Sequence, residues 1–169
     1  MEKRALVLGM FIAAVLLVLY VFMLWSSRHP LIVDDVYPGS SCDGLLKKAD
    51  ILYVIPNFEH HLIQDDPEWC AKIRSLNTTL GLHGITHLYP EFDGEINEED
   101  LLSAIHSFET CFREKPRLFR PPYNLINTKN EEIVSRMDMA VYDKRFIIHP
   151  YCHCDPKFLM KVLNVILWC

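Results

Sequence analysis

Four stretches of this sequence hold residue types whose spacing could support chemistry. The first is Leu31-Ile32-Val33-Asp34-Asp35-Val36, where apolar, mostly β-branched residues lead into two adjacent carboxylates. Closed by the Pro38-Gly39 turn, this run reads as a buried strand. Ionised carboxylates are costly to bury without a cation, so two at a core strand's end call for a metal or a proton-transfer role. A solvated strand-to-loop junction is the alternative. The second stretch is His83-Gly84-Ile85-Thr86-His87, with two imidazoles four residues apart. Two histidines and one carboxylate form a common three-ligand zinc set that leaves room for water. One aspartate would ligate the metal and the other would act as base. Alone, the His-x3-His spacing also fits a structural role.

The third stretch is Arg120-Pro121-Pro122-Tyr123. Its arginine can hold a carboxylate by a bidentate contact and keep its pKa low. Its prolines fix the backbone, so that the Tyr123 amide can serve as an oxyanion donor; a surface ion pair beside a stiff turn is the competing reading. The fourth is Ile147-Ile148-His149, whose histidine could protonate a leaving group or fill a rim position.

These residues need elements to place them. Apolar runs at 31–36, 51–55 and 79–82 predict strands, followed by shorter ones at 117–119, 139–142 and 145–148. Helices are predicted over 67–76, with Asp65 or Asp66 as cap and Pro67 in the first turn, and over 97–113, capped by Asn97. Two more are predicted over 128–137 and 155–167. Strands alternating with helices imply parallel βαβ units, and such sheets carry their sites at the C-terminal strand ends. Asp34, Asp35, Asn57, His83, Arg120 and His149 all fall there. His60 and His61 follow the second strand and could line the same cleft, whereas His106 lies in the amphipathic helix as an exposed or rim residue.

The chain has 169 residues and a net charge of -5. That acidity argues against nucleic acid or an anionic membrane surface as partner. Met1-Glu2-Lys3-Arg4 precedes an uncharged run from Ala5 to Trp25, which as a helix would span roughly 31 Å, close to a bilayer core. The expected organisation is a cytoplasmic N-terminus over 1–4, a transmembrane anchor over 5–25, a linker over 26–30 and one domain over 31–169. Lys3 and Arg4 orient the domain away from the cytoplasm. All six cysteines, Cys42, Cys70, Cys111, Cys152, Cys154 and Cys169, follow the span and are compatible with disulfides of undetermined pairing. Cys152-His153-Cys154 also offers soft ligands, without the usual Cys-x2-Cys zinc spacing. Asn77-Thr78-Thr79 has the glycosylation acceptor pattern. The oligomeric state has no signature in the sequence.

Taken in order, Asp34-Asp35, the His83 to His87 motif, Arg120-Pro121-Pro122-Tyr123 and an aliphatic-x-His resemble the NodB-type polysaccharide deacetylases of carbohydrate esterase family 4, in a divergent branch. The resemblance covers about residues 31 to 155. It implies a trimmed or distorted (β/α) barrel of about six parallel strands. It also implies a metal-dependent hydrolase acting on an N- or O-acetylated carbohydrate. On that resemblance Asp34 is the general base, and Asp35, His83 and His87 hold a divalent ion, most simply Zn2+. Arg120 orients Asp34, the Tyr123 amide faces the oxyanion, and His149 is the general acid. Two positions depart from the pattern: Gly84 stands where Ser or Thr is usual, and the later Asp-and-Trp motif has only Asp143 as a partial counterpart. A different class fits the same departures, a membrane-tethered glycan-binding module on a degenerate deacetylase scaffold.

Overall fold

The computed structural model describes residues 2–26, 30–142 and 151–154, with side chains of the first segment described from Gly9 to Phe22. The chain divides into two compact units, Met1–Pro30 and Leu31–Cys169. The first holds helix α1 (Glu2–Ser26). Among the described residues no helix is long and apolar enough to cross a membrane. The anchor expected over 5–25 is therefore helical but finds no support as a span.

The second unit is α/β. Strand β1 (Ile32–Val36) is followed by the short helix α2 (Asp43–Leu46) and by β2 (Ile51–Val54). Two-residue strands β3 (Asn57–Phe58) and β4 (His61–Leu62) form a hairpin. Helix α3 (Pro67–Arg74), strand β5 (Thr79–His83), helix α4 (Glu98–Phe112), strand β6 (Leu118–Arg120) and helix α5 (Thr128–Arg136) follow. Strands β7 (Ala140–Val141) and β8 (Tyr151–His153) complete the described chain. Six strands pair in parallel in the order β7-β6-β5-β2-β1-β8, the expected parallel α/β sheet. The sixth strand is Tyr151–His153, whereas the stretches expected as a strand over 145–148 and a helix over 155–167 lie outside the described residues.

Local chemistry accounts for the elements. Asp66 accepts a hydrogen bond from Trp69 N at the head of α3, with Pro67 in the first turn. Asn97 caps α4 through Glu99 N, and Asn127 caps α5 through Asn130 N. The apolar face of α4, with Leu101, Ala104, Phe108, Cys111 and Phe112, is buried in the core with Leu52, Val54, Leu82 and Phe119 of the sheet. Gly81 in β5 is required by close approach, because an added Cβ would lie 2.6 Å from the Tyr53 ring.

Two disulfides join distant parts of the chain. Cys70 on α3 pairs with Cys111 on α4, and Cys42 before α2 pairs with Cys154 after β8. Cys152 is disulfide-bonded as well, so the Cys152-His153-Cys154 stretch offers no thiolate for a metal.

The Cys42–Cys154 bridge closes a loop with a sequence separation of 112. A Cys42→Ser, Cys154→Ser variant of the full chain should lose about 2–5 kcal/mol of stability. Urea denaturation monitored by tryptophan fluorescence is the measurement, and a midpoint equal to wild type would contradict it.

Candidate metal centre

Adjacent side chains on a regular strand face opposite sides of the sheet, so Asp34 and Asp35 can serve one site only if β1 departs from regularity. It does so at Asp35, whose φ is +59°. The register against β2 breaks between Val33 and Val36 at the same place. Aspartate is among the non-glycine residues that tolerate this backbone region.

Asp34 is buried. Its Oδ2 lies 2.9 Å from Nε of Arg120, which is itself buried at the end of β6. Among the described residues, Asp34 Oδ1 accepts no hydrogen bond. Arg120 Nη2 instead donates to Asn124 Oδ1 at 3.2 Å, and the guanidinium is flanked by the rings of Tyr53 and Tyr142, each 5.8 Å away. The expected low pKa of Asp34 is thus reversed. Burial pushes its carboxyl above the usual range, and the Arg120 charge offsets this only in part. A raised carboxyl pKa is better matched to proton transfer near neutrality.

Asp35 faces three histidines. Its Oδ1 lies 3.2 Å from His83 Nε2 and 3.0 Å from His87 Nε2, and its Oδ2 lies 2.6 Å from His153 Nδ1. Burial opposes ionisation of Asp35, yet the hydrogen bonds with His153, His83 and His87 outweigh it and hold its pKa far below the usual range. Asp35, His83 and His87 form a group able to hold a metal ion. Ligand atoms about 2.0–2.1 Å from a tetrahedral ion would stand about 3.3 Å apart, close to the 3.2 Å and 3.0 Å from Asp35 Oδ1 to the two imidazole nitrogens. His83 Nδ1 donates to the Arg120 carbonyl at 2.9 Å, which turns Nε2 toward Asp35 and fixes the tautomer a ligand needs. The residues therefore fit a divalent ion.

Left-handed backbone gathers around this centre, at Asp35, Gly84, His87, Tyr123 and Asn124. Such clustering is typical of functional sites. Tyr123 packs its ring 4.9 Å from His87 and its hydroxyl lies 3.4 Å from the His87 carbonyl. Next to it Tyr89 is exposed and meets Tyr123 edge-on at 5.2 Å.

Six of the expected residues thus converge: Asp34, Asp35, His83, His87, Arg120 and Tyr123. His149 and Asp143 lie outside the described residues. The histidine that meets Asp35 is His153, in register with Asp34 on the neighbouring strand. It lies in a second hydrophobic-x-His pattern, Tyr151-Cys152-His153, four residues after the one that drew attention. Asn57 contributes its backbone amide, which donates to the Ile85 carbonyl at 3.1 Å. His61 lines a separate cleft of about 250 Å³ with Tyr37, Pro38 and Phe58, His60 sits in the β3–β4 turn, and His106 is exposed on α4. Glu91 also borders this centre, and its only signal in the sequence is an acidic residue four positions after His87.

The sequence matches no protein-family profile, and no curated protein matches it. Solved structures do match. A carbohydrate esterase family 4 pseudoenzyme from Bacillus anthracis aligns with a TM-score of 0.52 at 16% identity, over 68% of this chain and 43% of its own. A polysaccharide deacetylase from Bacillus cereus gives 0.52 at 14% identity, over 68% of this chain and 60% of its own. A peptidoglycan N-acetylglucosamine deacetylase gives 0.53 at 15% identity, over 66% and 54%. The domain has the carbohydrate esterase family 4 fold. This chain spans 43% to 60% of the length of those structures. Because that scaffold occurs in deacetylases and in a pseudoenzyme alike, side chains and not topology decide activity.

Removing one partner of a buried ion pair leaves the other charge uncompensated. Arg120→Ala should therefore cost about 3–5 kcal/mol. Adding Asp34→Ala should return part of that loss. Paired denaturation curves test this, and simple additivity of the two changes would show that the pair is not coupled.

Proposed function

We propose that this protein is a metal-dependent hydrolase that removes acetyl groups from an N- or O-acetylated glycan. One observation carries the reading: Asp35 Oδ1 converges with His83 Nε2 and His87 Nε2 beside the buried Asp34–Arg120 pair. The fold shared with polysaccharide deacetylases supports the substrate class.

In this reading a divalent ion, most simply zinc, is held by Asp35, His83 and His87 and supplies Lewis-acid polarisation of an acetyl carbonyl and of water. Asp34 takes the proton of the attacking water, and Arg120 holds its carboxylate in place. The Tyr123 amide donates a hydrogen bond to the oxygen that gains charge as the carbonyl carbon becomes tetrahedral. His153, tied to Asp35 and paired in register with Asp34, gives a proton to the departing amine or alcohol. His153 takes the role that the resemblance gave to His149. Asp35 thereby links metal binding to the proton donor.

The separate expectation of a membrane tether stands on sequence and composition. Ala5 to Trp25 carry no charge, and as a helix they would span roughly 31 Å. The disulfides agree with an oxidising compartment. We propose a single-pass protein with its domain outside the cytoplasm.

The site roles separate in one experiment on one set of preparations. Asp35→Asn should lose metal, because a neutral amide is a poorer ligand for a dication. Asp34→Asn should keep metal while acetate release falls by roughly 10²–10⁴-fold. His153→Ala should keep metal and be slowest on amide substrates, whose leaving group most needs a proton. Equal metal loss in Asp34→Asn and Asp35→Asn would remove the division into base and ligand. Stoichiometric metal without turnover of any acetylated oligosaccharide would instead favour a glycan-binding module.

Topology has its own test. External protease added to intact cells should digest the domain, and the mature N-terminus should still contain 5–25. Cleavage near Ser27 would identify the segment as a removed leader.

A further inference from the structure

Gly84 stands where a hydroxyl-bearing side chain was expected, and its surroundings explain why. Its φ is +68°, and an added Cβ would collide with Glu91 Oε2 and with the Pro122 ring. The space beside the first histidine ligand is therefore already filled, in part by a carboxylate.

That carboxylate is engaged on both oxygens. Oε1 accepts from Thr86 N at 2.6 Å and from the Thr86 hydroxyl at 2.5 Å, and Oε2 accepts from Ile85 N at 2.9 Å. Two of the three backbone N–H groups between His83 and His87 thus end on one side chain, through charge-assisted bonds of the stronger kind. The opposite side of the loop is tied by Asn57 N, which donates to the Ile85 carbonyl at 3.1 Å. Glu91 itself has a firm base. Its amide donates to the Leu88 carbonyl at 2.8 Å. The next residue, Phe92, is buried against Phe119 with ring centroids 4.8 Å apart. Asn130 Nδ2 holds the Phe92 carbonyl at 2.7 Å.

We propose that Glu91 is the positioning residue of the metal centre: its carboxylate clamps the loop between His83 and His87 in ligating geometry, in place of the side chain that Gly84 cannot carry. With both oxygens committed to the loop, Glu91 is not itself a ligand. The loop needs such a clamp because Gly84 and His87 both hold left-handed backbone, a conformation that persists only where surrounding contacts over-determine it. The inference rests on the proposed metal reading for its consequence and on the hydrogen bonds alone for the clamp.

The test uses the full chain in detergent and reads two quantities. The first is zinc affinity, by competition with a chromophoric chelator. The second is hydrogen-exchange protection of the Ile85 and Thr86 amides in the metal-free protein. Glu91→Ala should weaken zinc binding by about 10–100-fold and abolish protection at both amides, with cooperative thermal unfolding retained. Glu91→Gln keeps one carbonyl oxygen for Thr86 and should fall between Ala and wild type, a partial rescue that simple loss of packing would not order in this way. Glu95→Gln, which removes an exposed partner of Lys129, should leave both quantities unchanged. Wild-type affinity and protection in Glu91→Ala would overturn the proposal, as would an equal loss in Glu95→Gln. A wild type that binds no zinc, with protection still lost in Glu91→Ala, would overturn the metal reading and uphold the clamp.

Discussion

The site depends on a single reversal of backbone hand at Asp35. With φ at +59°, the chain leaves the strand pattern one residue after Asp34. The first carboxylate can then sink into the protein while the second turns to the open end of the sheet. The rest of the arrangement is fitted to this split. Strand β6 brings Arg120 beneath Asp34, and the pairing of His83 with Arg120 across β5 and β6 brings the Arg120 carbonyl within reach of His83 Nδ1. One arginine thus neutralises the buried carboxylate with its side chain and orients a metal-facing imidazole with its backbone.

The sequence made the inner strands legible because their runs are apolar, β-branched and bounded by turns, which is how strands buried on both faces read. The helices at 67, 97 and 128 were legible from caps and periodicity. Six residues that converge at one end of the sheet were legible because sites in parallel sheets gather at strand ends. What stayed hidden was of another kind. Glu91 acts through hydrogen bonds to backbone groups, and a backbone donor leaves no trace in residue identity. Gly84 looked like a worn motif position, although the space for a side chain is already taken. The direction of the Asp34 shift was misjudged because it is set by burial, which a sequence gives only in outline.

Fold and chemistry answer different questions here. At 14–16% identity and TM-scores near 0.52, the likeness to family 4 structures establishes how the chain is folded, and it includes a pseudoenzyme. The groups gathered at the end of this sheet are costly to hold together. A carboxylate buried beside another carboxylate and an array of left-handed residues all oppose stability.

The last strand shows how much depends on register. His153 reaches Asp35 because β8 pairs with β1 so that Tyr151, Cys152 and His153 stand opposite Ile32, Val33 and Asp34. A slip of one residue would send His153 to the other face of the sheet. A two-residue slip would keep the face but move the imidazole by about 6.6 Å along the strand, well beyond its 2.6 Å contact with Asp35. Beside this register, two constraints hold the end of the described strand: Cys154 N donates to the Asp34 carbonyl at 3.0 Å, and Cys154 is bonded to Cys42. The disulfide therefore does more than limit the unfolded chain. It also ties the end of β8, where His153 stands opposite Asp34, to the segment before α2.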